Sequence, residues 1–129
     1  MEREILFRGF DNIKNEWVYG DLIHLSNGYA IRKIEDDIMS FTRVDSDSIG
    51  QYTGAKDGNG KKMFEGDITK IKLFNFPNGE IEYEIGVIIY SKDIFIISGN
   101  KFDHNLFGIR ENETRSIIGN VFENPELIK

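Results

Sequence analysis

Cysteine is missing from all 129 residues. That absence removes disulfides, thiolate nucleophiles and cysteine-ligated metals together. It also argues against a small secreted scaffold, which usually needs such staples. Long apolar runs are missing as well: no stretch approaches the roughly 18 residues of a membrane-crossing helix. Met1-Glu2-Arg3-Glu4 is charged where a secretory signal would be apolar, so a cytoplasmic protein with no membrane partner is expected. Asn112-Glu113-Thr114 fits the glycosylation pattern, but that match is idle in the cytoplasm. Basic clusters are absent, and the formal net charge is −6. A nucleic-acid partner is therefore disfavoured, because phosphate contacts need gathered Lys and Arg. No window carries a three-turn amphipathic helix, an internal repeat or a low-complexity tract.

What the chain does have is alternation and turn chemistry. Ten Phe and five Tyr lean toward strands. Glu16 to Leu25 places Trp17, Tyr19, Ile23 and Leu25 at alternate positions, the period of a half-buried strand, with a bend near Gly20. Ser26-Asn27-Gly28 is a hairpin turn, since Asn-Gly accepts positive φ, and Tyr29 to Ile34 is the returning strand. Ile38 to Val44 reads as another strand. Asp45-Ser46-Asp47-Ser48 is the most polar stretch and the expected junction between lobes 1–48 and 49–129 of a single domain. Asp57-Gly58-Asn59-Gly60 is dense in residues that tolerate left-handed backbone. A loop is expected at Asn75-Phe76-Pro77-Asn78-Gly79.

Between 68 and 90, Ile71 and Leu73 alternate with Lys70 and Lys72, then Ile81, Tyr83 and Ile85 alternate with Glu80, Glu82 and Glu84. Antiparallel pairing across the short loop is expected. With the apolar faces superposed, the two lysines would face the three glutamates. Gly66-Asp67, a strand, a loop, a long strand bent at Gly86, a tight turn and a further strand suit an SH3-like barrel. Asn100 to Glu113 is irregular in pattern. Ile117 to Phe122 is the last strand, and Asn124-Pro125-Glu126 predicts a helical turn with Asn124 as cap. The expected fold is thus mainly β, two small interlocked β lobes, the C-terminal one an SH3-like barrel, with little helix.

Two blocks carry a family resemblance. The first is Ile49-Gly50-Gln51-Tyr52-Thr53-Gly54, then Lys56 to Lys62, then Phe64-Glu65-Gly66-Asp67-Ile68. The second runs Ile117-Ile118-Gly119-Asn120-Val121-Phe122-Glu123-Asn124-Pro125-Glu126-Leu127. Together with Phe7 to Asp11 and Trp17 to Gly20, they resemble the YopX-like proteins of phages and prophages. Ala55 and Met63 stand where that family often has Leu and Ile. The resemblance implies a phage or prophage origin, a bacterial host and a mainly β architecture. It implies no reaction and transfers no catalytic residue.

The chemistry-bearing residues favour modest roles. Asp57 to Gly60 begins like a calcium loop, but its glycine is misplaced and Ile68 occupies the position of the bidentate Glu. Gly54, Gly58, Gly60 and Gly66 lack the spacing of a phosphate cradle. His24 and His104 have no ligand spacing between them, and each is expected to be a surface or partly buried histidine. Trp17, Tyr19, Tyr52 and Phe64 would form a base-stacking platform only with interleaved basic residues; core packing is the plainer fate of strand aromatics. The Glu80, Glu82 and Glu84 row is a solvated face or a cation site. Asp36, Asp37, Asp45 and Asp47 could imitate the phosphates of DNA. Gln51, Tyr52, Thr53, Glu65 and Asp67 are the candidate binding surface, because loops on a β scaffold often carry binding.

No catalytic constellation is visible, and no cofactor or metal is implied. A non-catalytic, protein-binding accessory role follows best. A nucleic-acid-binding barrel module, an acidic DNA mimic that inhibits a host protein, and a hydrolase with an acidic metal site are the other readings. Exposed strand edges also permit homo-oligomers.

Overall fold

The computed structural model describes residues 3–75, 78–107 and 113–128. Parts of the expected 75–79 loop, of the irregular 100–113 segment and of the glycosylation match lie outside the described residues. Eleven strands carry the described chain: β1 (Phe7–Asp11), β2 (Glu16–Leu25), β3 (Gly28–Glu35), β4 (Ile38–Val44), β5 (Gly50–Lys56), β6 (Lys62–Phe64), β7 (Asp67–Asn75), β8 (Glu80–Ser91), β9 (Ile94–Gly99), β10 (Asp103–Asn105) and β11 (Glu113–Asn120). Helix is limited, among the described residues, to short 3-10 turns at Ser46–Ser48 and Pro125–Ile128. The strands form two antiparallel sheets, in the orders β4-β3-β2-β1-β5-β6 and β10-β9-β8-β7-β11. Mainly β is therefore correct. The chain divides into compact units Met1–Gly54 and Ala55–Lys129, and β5 runs from one into the other.

In the first unit, β2 and β3 join at the anticipated turn, with Leu25 opposite Gly28. The β3–β4 hairpin turns on Asp36 and Asp37, both at positive φ (50° and 63°). This is the conformation of a tight two-residue turn whose twist matches the strands. The sheet curls without closing. A Cβ on Gly9 would lie 2.7 Å from Val44 Cγ2, and Asp45 N–H donates to the Phe10 carbonyl (2.9 Å). Its buried apolar side chains include Phe10, Val18, Ala30 and Ile31. On β2 the most buried residue is Val18, while Tyr19 is exposed, so the inward side near the strand's start is the opposite of the expected one. Gly20 is needed for close approach, since a Cβ there would collide with the Arg32 carbonyl. The polar stretch at 45–48 is a turn inside this unit: Asp45 caps it by accepting from Asp47 N–H (3.0 Å), and Ser48 Oγ accepts from Phe10 N–H (2.7 Å).

In the second unit, Met63, Ile71, Ile88, Ile97 and Leu106 form the apolar core, with Ala55, Leu73, Phe95 and Ile117 packed on it. No closed barrel of the expected SH3-like kind appears among the described residues. The pairing order ends at β10 on one side and β11 on the other, so the sheet is open among the described residues. The expected face-to-face match of β7 and β8 is overturned. Lys70 pairs with Ile85, Ile71 with Glu84 and Lys72 with Tyr83. Directly opposed residues share a face, so the lysines lie with Tyr83 and Ile85, and Glu84 points inward beside Ile71. The last strand begins at Glu113, ahead of the anticipated Ile117. Asn124 does precede a helical turn, but its Oδ1 accepts from Asn120 N–H (3.2 Å).

Candidate functional site

The parts of the two sequence blocks that lie in the second unit, from Ala55 to Ile68 and from Ile117 to Leu127, meet there, and several of their polar side chains bond backbone. Asp57 is buried. Its Oδ1 accepts from Asn59 and Lys61 N–H (2.9 Å each), closing the glycine-rich turn. Its Oδ2 accepts from Ile117 N–H (3.0 Å), sixty residues away. Burial raises its carboxyl pKa, but the three backbone donors outweigh that and hold it below the ordinary carboxylate value. Gly58 N–H adds a bond to the Arg115 carbonyl (2.8 Å). At the next turn Asp67 Oδ2 accepts from Phe64 N–H (2.7 Å). Gly66, at φ 94°, donates to the Ile88 carbonyl (2.8 Å) and accepts from Val121 N–H (2.9 Å). Asp67 pairs with Asn120, whose Oδ1 accepts from Glu123 N–H (2.8 Å). Gly119 leaves room for Asn124 Oδ1, which a Cβ would meet at 2.6 Å.

The inner face of the same sheet holds a buried carboxylate–imidazole contact and a buried ion pair. Glu84 Oε2 lies 2.7 Å from His104 Nε2, both side chains 6% exposed. Glu84 Oε1 accepts from Lys101 and Phe102 N–H (3.3 and 3.2 Å). Burial pushes this carboxyl up, but the His104 bond and the two backbone donors outweigh it and hold it low. Gly99 makes the pocket, since a Cβ there would strike Glu84 Oε1. Across Ile71, which pairs with both Glu84 and Arg115, Arg115 Nη2 reaches Glu113 Oε1 (3.2 Å) and Nη1 donates to the Leu106 carbonyl (2.9 Å). Both oxygens of Glu84 are occupied and the pair is shielded from water. The geometry is that of a structural anchor for the 99–104 corner.

This pair escaped sequence reasoning, which expected a surface or partly buried His104. One signal was available: in Asp103-His104-Asn105-Leu106 the strand period puts His104 on the face of Leu106, and both are buried. His24 instead stacks on Tyr29 (centroids 4.8 Å apart). Of the candidate binding surface, Tyr52, Thr53 and Asp67 are buried, and Gln51 and Glu65 are half-buried. Gln51, Tyr52 and Thr53 belong to the first unit, Glu65 and Asp67 to the second. Of the suggested aromatic platform, Tyr52 and Phe64 are buried, Trp17 packs edge-on against Phe10 (5.3 Å) beneath the Arg8 guanidinium (4.7 Å), and Tyr19 is exposed. Asp36 and Asp37 sit at the β3–β4 tip, and Asp45 serves as a cap. No group of three or more His, Asp or Glu able to hold a metal ion occurs among the described residues.

The family model described as YopX protein matches residues 6–129. The chain belongs to the YopX family. Crystal structures share the fold of this YopX-family chain. Protein yopX from Bacillus subtilis is similar at 26% identity and TM-score 0.61, over 96% of this chain and 98% of that one. Protein EF1440 from Enterococcus faecalis is similar at 24% identity and TM-score 0.56, over 99% and 100%. No curated protein matches. No helix among the described residues is long and apolar enough to cross a membrane.

Proposed function

We propose that this YopX-family chain is a phage- or prophage-encoded accessory protein that acts in the bacterial cytoplasm by binding another protein, without catalysis. Family membership supports the origin. The carrying observation for binding is the outward face of β7 and β8. There Ile81, Tyr83 and Ile85 remain 46%, 53% and 37% exposed, with Lys70 Nζ 4.3 Å from the Tyr83 ring centroid and Lys72 Nζ 4.8 Å from that of Phe74. Apolar rings beside ammonium groups suit a partner that presents apolar side chains rimmed by carboxylates.

The test compares pull-downs from host lysate with the parent and with a Tyr83→Asp/Ile85→Asp variant whose melting temperature matches the parent. A protein retained by the parent and lost by the variant supports the reading. Identical captures, or none that is specific, contradict it.

The same face favours a second reading, nucleic-acid binding, because lysines and stackable rings alternate on it. Fluorescence anisotropy at low salt with single- and double-stranded DNA decides: a signal lost in Lys70→Glu/Lys72→Glu supports it, and a flat titration ends it.

A further inference from the structure

We infer that the β4 edge of the first unit is a self-association site, taking a second copy of this chain as an antiparallel neighbour centred on Ser40. The proposal is independent of the partner-binding face, which lies on the other unit.

Sheet edges expose unpaired N–H and C=O groups and are ordinarily shortened, charged or covered. Three of the edges here follow that rule. β6 and β10 are three residues each. The edge of β11 is met by the Asp57–Gly58 turn, through Ile117 N–H to Asp57 (3.0 Å) and Gly58 N–H to the Arg115 carbonyl (2.8 Å). β4 does not follow it. It is seven residues long, terminal in its sheet, and Ile38 to Thr42 contains neither charge nor proline. Ile34, Met39 and Phe41 are 58%, 51% and 59% exposed. Because Ile34 pairs with Met39 and Arg32 with Phe41, these side chains share one face.

Hairpin geometry fixes the parity. Glu35 and Ile38 flank the two-residue turn and form its hydrogen-bonded pair. Ile38, Ser40 and Thr42 therefore aim their backbone groups at β3, while Met39, Phe41 and Arg43 aim theirs outward. A two-fold axis at Ser40 sets Met39 against Phe41 of the copy, Phe41 against its Met39, and Arg43 against its Asp37. Met39 and Phe41, the outward-aiming residues beside the axis, then meet one another, so the central ladder closes, while Arg43 reaches the turn residue Asp37. The opposed charges attract twice over, and two rows of apolar side chains form, each of Phe41, Met39 and Ile34 drawn from both copies. A self-complementary patch of this kind is what a two-fold dimer requires.

Sedimentation equilibrium on the full chain tests it. The parent should show, at high concentration, a species of twice the 14.9 kDa chain mass. Arg43→Asp puts like charges opposite each other and should weaken association about tenfold or more. The charge swap Asp37→Arg/Arg43→Asp should restore it. Phe41→Asp should abolish it while Trp17 fluorescence stays that of the folded parent. A parent monomeric at its solubility limit, a different stoichiometry, a dimer indifferent to Phe41→Asp and Arg43→Asp, or a folded charge swap that remains monomeric each overturns the proposal.

Discussion

The two units solve the same problem, covering one face of an open antiparallel sheet, with different materials. The first packs Phe10, Val18, Ala30 and Ile31 inside a curled sheet and keeps most of its charged side chains at the rim, as in the exposed Arg32–Asp21 pair (2.6 Å). The second places Glu84, His104, Glu113 and Arg115 on the inner face and ties its turns with Asp57 and Asp67. A buried charge is costly unless paired and hydrogen-bonded, so the second unit depends on a few long-range bonds whose loss is severe. The first unit buries fewer charged side chains, Arg8 and Asp11, so the loss of single polar contacts should weigh less there.

Substitutions can break this contrast at graded strengths. The largest effect is expected for Arg115→Ala, which removes a buried guanidinium with its bonds to Glu113 and the Leu106 carbonyl and should cost about 3–5 kcal/mol of unfolding free energy in urea titration. Replacing the pair together, Glu113→Leu with Arg115→Met, should recover most of that loss. Asp57→Ala removes three charge-assisted bonds and should cost about 3 kcal/mol. Gly66→Val forces a β-branched residue to φ 94° and should cost about 2 kcal/mol or more, read as a lowered melting temperature. The smallest effect belongs to the first unit: Ile31→Val deletes one buried methylene and should cost about 1 kcal/mol. An Arg115→Ala loss no greater than that of Ile31→Val would erase the distinction.

The first unit's strands were largely legible, because alternation, Asn27-Gly28 and the polar tip at Asp36-Asp37 are local signals. So was the Asp57–Gly60 turn. The β7–β8 register was not. Alternation separates two faces but does not say which is inside, and on β8 the apolar Ile81, Tyr83 and Ile85 lost that place to Glu84. The reason is non-local: His104 and the 101–102 backbone supply partners that only the folded chain brings near, and Gly99 leaves the space. Closure was not legible for the same reason, since strand succession does not reveal whether edges meet. The family blocks were legible as motifs, but their use became clear only when Asp57 reached Ile117 and Asp67 faced Asn120.

Lowered carboxyls occur in both units, at the exposed Asp45 cap of the first, where Asn12 and the Asp47 N–H hold it down, and at buried Asp57 and Glu84 of the second; the buried ones carry the larger pH signature. Asp57 and Glu84 have carboxyls held below the ordinary value, near pH 4. The unfolded chain binds protons there that the folded chain refuses. Their stabilisation is therefore full above that pH and is lost as pH falls through the folded-state pKa values. Hydrogen-exchange mass spectrometry across an acid titration, corrected for intrinsic exchange rates, reads each unit separately. Protection of the amides of Lys61, Phe102 and Ile117 should fall at a higher pH than that of β2 and β3. Simultaneous loss in both units, or earlier loss in the first, would contradict a second unit held by buried carboxylates.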